Sequence, residues 1–592
     1  MEHNCNNYND YIVFYTRRFF KSTLNYIKTF LTTAKAEHVL LISLVCLFFV
    51  YGYYLTIIHG TRMLMEFAWR EADSLSLALN YYKENLNFFT PKVNFSGYGK
   101  GEGYAIGEFP IVYYIVSKLW KLYGQHEFIF YATSMTIVWI GLLYLCKLSF
   151  SILQDRFWAV FISLFLYSSP LLAFQAWSSV PHAAAFGILW AGIYYYYLYC
   201  REAQTKHLIA FTLIFALVGG VKIVFLSFPL AILITQILFF TYGSKPQFFK
   251  TTNLKKIIAA ASVISIAAYS YIKYCKWFIK QQEHLQFALH IEGKTFLPES
   301  TRPDLNYIVY SLWDHIKDTL PHTFSNSYFL YGFLGSVVLL IPLSLFRRVN
   351  RELLIISIII VLGVMTNIML WPYYFQTHQY YSILTLCALP FPLLTILVYF
   401  KDTCFSAVFK NKYIKFVFMG LLLAAIVGTS VQNRAKYYRD DYFVKKFPSL
   451  IQDKRTGETY RTIKAIWSYN DYYNQFDKGY GSITPYLRFL GIERTDKVIV
   501  IQGRIPNMIL YLMDQKGFPI IPNIDEMRKD FPRALDKGAK YMLSNKKHED
   551  IYLPFKEHID RELAREYMDI KIFKLKDVPK TEPLDNGNLE KQ

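Results

Sequence analysis

Apolar runs of about twenty residues recur from Val39 to Val431, separated by polar or basic connections. A hydrocarbon core about 30 Å thick is crossed by roughly 20 residues of helix. The pattern therefore predicts spans at about 38–57, 127–147, 156–175, 179–200, 208–220, 223–241, 257–275, 328–346, 352–371, 380–400 and 414–432. The run from Leu208 to Phe240 is too long for one crossing, and Gly219-Gly220 marks the expected break. Ahead of the first span, Tyr11 to Thr33 mixes aromatics with Arg17, Arg18, Lys21 and Lys28, which suits a helix lying in the membrane interface.

Beyond about Asn433 the pattern changes. Val498-Ile499-Val500-Ile501 reads as a buried strand, and Pro506 to Lys516 as a helix stopped by Gly517. Ile520-Ile521 and Tyr541-Met542-Leu543 read as further strands, separated by a charged helix through Glu526 to Lys537. These elements make a small α/β layer. Gly503-Arg504-Ile505-Pro506-Asn507 is its first strand-to-helix turn, either a plain connection or an anion site at a helix start.

The expected fold is a polytopic α-helical membrane protein with about 11 transmembrane helices and a C-terminal soluble α/β domain. Residues 1–37 form a cytoplasmic or interfacial segment and 38–432 the membrane domain, with long outer loops at 58–126 and 276–327. Residues 433–577 form the outer α/β domain, and 578–592 a polar, disordered tail.

Composition agrees, with 53% of the 592 residues hydrophobic and 18% aromatic. The formal net charge of +20 is spread in short clusters between apolar spans, which argues against nucleic acid and for anionic lipid as the partner surface. The clusters also orient the bundle. One set of alternate loops holds Lys147 and Arg156, Arg201 and Lys206, Lys245 to Lys256, Arg347 to Arg351, and Lys401 to Lys415. The short loops of the opposite set, near Ser178 and Tyr374, hold no Lys or Arg. Basic loops stay in the cytoplasm, so the N-terminus is expected there, and the first loop and C-terminal domain outside a cell (inner) membrane. Five of the seven cysteines lie in or beside apolar spans, Cys5 lies in the polar N-terminus and Cys404 in a basic loop, and together they suggest neither a disulfide framework nor a metal motif.

The outer face collects the chemistry. The first loop carries Trp69-Arg70-Glu71-Ala72-Asp73-Ser74 and, further on, Gly107-Glu108-Phe109-Pro110. Two separated carboxylates at a membrane surface suit a general base, Asp73, and an orienting or charge-stabilising partner, Glu108. A solvated loop is the alternative. Glu71 lies two residues from Asp73 and falls on another helix face. Lys222 follows the glycine pair, where it either serves a ligand or snorkels as a helix-end anchor. A last outer segment reads Trp371-Pro372-Tyr373-Tyr374-Phe375-Gln376-Thr377-His378-Gln379-Tyr380-Tyr381.

Over about residues 38–400 this arrangement resembles the polytopic GT-C glycosyltransferases. Within them it is most similar to the bacterial relatives of protein O-mannosyltransferases and to the lipid A aminoarabinose transferase. The resemblance rests on four features in order. They are an Asp-bearing helix after the first span, the stretch Glu108-Phe109-Pro110-Ile111-Val112-Tyr113-Tyr114 opening a helix that ends Lys118 to Gly124, Lys222 at a hairpin, and His378-Gln379-Tyr380-Tyr381 before a late span. The chain departs from the group at Gln125-His126-Glu127-Phe128, where an arginine is usual, and at Pro181-His182, where Pro-Asp is frequent.

The resemblance implies a GT-C-like catalytic domain that moves a sugar from a polyprenyl-phosphate donor onto an acceptor hydroxyl of protein, lipid or glycan. Asp73 and Glu108 would be catalytic, and Lys222, His378, Tyr380 and Tyr381 would bind the donor phosphate. No cofactor is required, although the resemblance allows Glu108 and a loop histidine such as His284, His290, His315 or His322 to hold a divalent ion. Spacing alone shows no metal motif. Two rivals stand beside this reading. A multi-pass transporter would show internal repeats, which the sequence lacks. A non-catalytic envelope glycan- or lipid-handling protein would not need both carboxylates.

Overall fold

The structure is a computed structural model that describes residues 35–59, 68–97, 100–241, 248–251, 253–282, 327–346, 348–370, 375, 379–403, 406–437, 479–501, 506–562 and 567–576. The interfacial segment expected at 11–33, most of the second outer loop, His378 and the C-terminal tail lie outside these residues.

Each expected span coincides with one or more apolar helices. They begin with Ala36–His59, Glu127–Leu153, Arg156–Tyr167 with Pro170–Ala176, and Pro181–Glu202. Thr205–Val221, Ser227–Thr241, Leu254–Gln281, Ser327–Leu345, Arg351–Leu370, Pro390–Asp402 and Lys412–Tyr437 follow. Among the described residues, five helical stretches are long and apolar enough to cross a membrane: Glu127–Leu153, Ile223–Thr241, Leu254–Gln281, Arg351–Leu370 and Tyr380–Asp402.

Glycine lets two of the central helices meet closely. A Cβ added to Gly141 would come within 2.4 Å of the Gly187 backbone, so Glu127–Leu153 and Pro181–Glu202 cross with their main chains in contact. Small residues at such crossings replace the hydrophobic drive that lipid cannot supply. On the side carrying the basic loops, the Glu352 carboxylate accepts from the Phe248 and Phe249 amides at 2.7 and 2.9 Å. This satisfies donors that would otherwise be buried without partners.

One expectation is corrected. The chain does not break at Gly219-Gly220: both remain in the helix Thr205–Val221, and the break falls at Lys222, whose φ is −150° and ψ 109°. A short 3₁₀ turn, Ile223–Leu226, then leads into the next helix. Gly220 is needed for approach rather than for bending, because an added Cβ would lie 3.0 Å from Phe109 Cβ.

The C-terminal elements form one five-stranded sheet in the order β2-β1-β3-β5-β4. The strands are β1 Lys497–Ile501, β2 Gly517–Ile520, β3 Ala539–Asn545, β4 Ile559–Glu562 and β5 Ile570–Leu575. β2, β1 and β3 run parallel, and β5 and β4 add antiparallel. Alternation divides the sheet's two faces: Ile499, Ile501, Phe518 and Met542 pack beneath Ile524–Asp536, while Val498, Val500, Leu543 and Ile572 meet Leu487, Ile509 and Leu510. The helix expected through Lys516 stops at Leu512, since Asp514 takes a left-handed φ of 44°. β4 and β5 escaped the sequence reading because their alternation is broken by charges such as Asp560, Arg561, Lys571 and Lys574.

This layer docks directly on the loop that follows the first span. Ser96 donates to the Gly517 carbonyl at 2.8 Å and Gly517 to the Asn94 carbonyl at 3.2 Å. Arg494 reaches Glu84 at 2.6 Å and Asn80 at 2.8 Å, and Met508 and Tyr511 enter the apolar cluster of Ala72, Leu75 and Leu79.

Candidate active site

The polar helix Ala68–Glu84 places Arg70, Glu71 and Asp73 near its start, and all three side chains are buried. A three-residue separation puts Arg70 and Asp73 on one face, whereas Glu71 turns about 100° away per residue of offset. The contacts follow that geometry. Glu71 accepts from the Ser179 amide at 3.4 Å, while Asp73 Oδ1 accepts from Asn507 Nδ2 at 2.7 Å. Asp73 Oδ2 is buried and has no hydrogen-bond partner among the described residues.

Glu108 is carried to this helix by its loop. The Phe109 amide donates to the Gly220 carbonyl at 2.9 Å, pinning the loop on the end of Thr205–Val221, one turn from Lys222. Glu108 Oε1 pairs with Lys222, and Oε2 pairs with Arg70. The Tyr113 hydroxyl, from the amphipathic helix Ile111–Tyr123, donates to Oε2 at 2.6 Å. Arg70 also donates to the Tyr113 oxygen at 3.2 Å.

The late span's start closes the group. Lys222 Nζ lies 5.6 Å from the Tyr381 ring centre, within cation–π range. His182 packs against Tyr380 and Tyr381 with ring centres 4.4 and 4.8 Å apart, which places the Pro181-His182 departure beside the same cluster. Asp73, Glu108, Lys222, Tyr380 and Tyr381 are thus gathered in one region, and His378 lies outside the described residues.

Three carboxyls, Glu71 and Asp73 buried and Glu108 half-buried, acquire different acidities. Burial pushes Asp73 up to about 7, against the pull of Arg70 and the Asn507 hydrogen bond. Burial likewise raises Glu71 to about 8, opposed only by the Ser179 amide. For Glu108, burial again opposes ionisation, but Arg70, Lys222 and the Tyr113 hydroxyl outweigh it and hold the carboxyl at about 2. Near neutral pH, Glu108 is therefore a permanent anion inside a cationic pair, Glu71 is mainly neutral, and Asp73 is poised to exchange a proton.

Arg70, Tyr113 and Asn507 were not singled out from sequence. Arg70 carried a signal, its three-residue offset from Asp73. Asn507 carried none toward Asp73, since 434 residues separate the two. As for a divalent ion, both Glu108 oxygens are already engaged. No cluster of three or more His, Cys, Asp or Glu suited to a metal occurs among the described residues. The loop histidines of that expectation, His284, His290, His315 and His322, lie outside the described residues.

A polytopic helical bundle with a polar loop helix and an appended mixed sheet has a GT-C-like fold. Solved structures bear this out: ArnT from Cupriavidus metallidurans in the apo state superposes with a TM-score of 0.51, at 10% identity, over 91% of this chain and 97% of that one. The same protein bound to undecaprenyl phosphate gives 0.50 at 11% identity, over 90% and 97% of the two chains. The Archaeoglobus fulgidus oligosaccharyltransferase, in complex with Zn and sulfate, gives 0.50 at 12% identity, covering 86% of this chain and 68% of its own. Both neighbours are GT-C glycosyltransferases. No family model matches the chain, and no curated protein matches its sequence.

Proposed function

We propose that this protein is an integral-membrane glycosyltransferase that moves a sugar from a polyprenyl-phosphate donor to an acceptor hydroxyl on the outer face of the cell membrane. One observation carries the reading. Two carboxyls beside Arg70 are driven apart in acidity, buried Asp73 up to about 7 and half-buried Glu108 down to about 2, which separates a proton-accepting role from a charge-holding one. The fold shared with ArnT, solved with undecaprenyl phosphate, supports a lipid-phosphate donor.

In this mechanism the Asp73 carboxylate takes the acceptor hydroxyl proton as that oxygen bonds to the anomeric carbon. The bond from the anomeric carbon to the phosphate oxygen breaks, and the lipid phosphate leaves with the electron pair. Phosphate is already a good leaving group, so the site needs cations near it more than a general acid. Lys222 and Arg70, both paired with Glu108, bring two cations toward the phosphate, and the Tyr380 and Tyr381 hydroxyls, with His378, supply hydrogen-bond donors. Single displacement inverts the anomeric centre. Buried Asp73 Oδ2, with no partner among the described residues, is the atom that receives the proton.

The acidity of Asp73 makes a direct test. Only its ionised form accepts a proton, so kcat/KM for transfer from a polyprenyl-phosphate sugar should fall about tenfold per pH unit below the Asp73 value of about 7, and level off above it. A flat profile between pH 5 and 8, with the protein folded throughout, rejects Asp73 as the base.

Sidedness is tested separately. A cysteine at Asn545, in β3, should react with an impermeant thiol reagent applied outside intact cells, whereas one at Lys255 should react only after permeabilisation. The reverse pattern would move the whole site to the cytoplasmic face and reject an outer-face reaction.

A further inference from the structure

The soluble domain sends one side chain into the candidate active site. Asn507 lies in the first turn of the helix Pro506–Leu512 and is buried. Its amide is used at both ends: Nδ2 donates to Asp73 Oδ1 at 2.7 Å, and Oδ1 accepts from the Phe95 amide at 2.8 Å. The two bonds fix which end of the amide faces the carboxylate, because a flipped amide would set an oxygen against Asp73 and an NH₂ against an N–H. Around it the interface is continuous, with Asn94 Nδ2 donating to the Leu510 carbonyl at 3.1 Å and Tyr511 donating to Glu127 at 2.9 Å.

We propose that Asn507 is a positioning residue. From the soluble domain it holds one oxygen of Asp73, so the other is presented to the acceptor, and the base is correctly set only when that domain is docked. The inference rests on Asp73 being the base. The charged and titratable groups around Asp73 are Arg70 on its own helix, Glu108 from the loop and Tyr380 from the start of the late span. Asn507 adds a neutral donor from a fourth element. A hydrogen bond donated to the ionised carboxylate favours that form, so deleting it should raise the pH at which Asp73 ionises.

The test uses the full-length protein in lipid vesicles with isotope-labelled aspartate. The Asp73 carboxyl is followed by infrared absorption against pH, with the Asp73→Asn spectrum subtracted. Asn507→Leu, similar in shape but without the amide, should move the Asp73 midpoint upward by about one pH unit. Asn507→Ala, which deletes the amide without adding bulk, should move it in the same direction and carries the test if the leucine variant does not fold. Tyr511→Phe removes a hydrogen bond of the same interface without touching Asp73 and should leave the midpoint in place. In transfer assays with a polyprenyl-phosphate sugar, Asn507→Leu should lower kcat while leaving KM for the donor unchanged.

An unmoved midpoint in both Asn507 variants overturns the proposal, as does an equal shift in Tyr511→Phe, which would mark general loosening of the interface. The two readings fail separately. An inactive Asp73→Asn with an unmoved midpoint removes only the role of Asn507, whereas an active Asp73→Asn removes the base itself.

Discussion

Asp73→Asn is expected to lower sugar transfer by about 10²-fold or more while leaving the protein folded. The asparagine has the carboxylate's shape, and its Oδ1 still accepts from Asn507, so packing at the domain interface is kept. What disappears is basicity. Relative to the wild type, the same variant should become more stable as pH rises. In the folded protein Asp73 holds its proton up to about 7, against an ordinary 3.8, so the folded state binds protons more tightly than the unfolded chain. That contribution is fully present below about pH 4 and is lost as pH rises through about 7, where the wild type must bury a charge. Asparagine never ionises, so the difference in melting temperature between variant and wild type should grow from pH 4 to pH 8. Glu71→Gln should matter less for transfer, since Glu71 bonds to Ser179 on another face of the helix. Near-normal turnover by a folded Asp73→Asn protein would remove the assignment.

Lys222 carries the second large effect. Lys222→Met keeps the apolar stem and removes the charge, leaving Glu108 with Arg70 and Tyr113 as its partners. Breaking a buried pair from one side costs about 3–5 kcal/mol in fully buried cases. Glu108 retains some solvent contact, 18% for its side chain, so a loss of about 2–3 kcal/mol is the expectation here. The double variant Lys222→Met, Glu108→Gln separates two roles. If Lys222 serves only to balance Glu108, the double variant recovers both stability and transfer. If Lys222 also meets the donor phosphate, stability recovers while kcat/KM for the polyprenyl-phosphate sugar stays at least tenfold down, a deficit of about 1.4 kcal/mol or more. Lys222→Arg should retain part of the activity, because the charge stays and the contact geometry changes. Full transfer in the double variant would end the phosphate role.

The cluster also explains why one loop carries two kinds of acid. Asp73 and Glu108 look alike along the chain, each an acidic residue in a polar stretch after the first span. Glu108 follows a glycine and precedes Phe109-Pro110, and the Phe109–Gly220 hydrogen bond delivers it to a lysine. Asp73 receives the field of Arg70, opposed by that of Glu108, and one neutral amide. Both carboxyls lie beside Arg70, and what separates their acidities is the set of partners each meets there.

Membrane spans, loop helix and sheet layer were legible because each is governed by local periodicity. Twenty apolar residues must form a helix in lipid whatever their neighbours are. Val498 to Ile501 is apolar at every position because both of its faces are covered. Arg70 and Asp73 share a face by helical geometry alone. The pairing of Lys222 with Glu108, the contact of His182 with Tyr380 and Tyr381, and above all the reach of Asn507 to Asp73 were decided only by tertiary packing. Acidity belongs to that second group. It is set by desolvation and by charges a few ångströms away in space, and in this protein those charges arrive from segments tens to hundreds of residues apart, so no local pattern in the chain carries them.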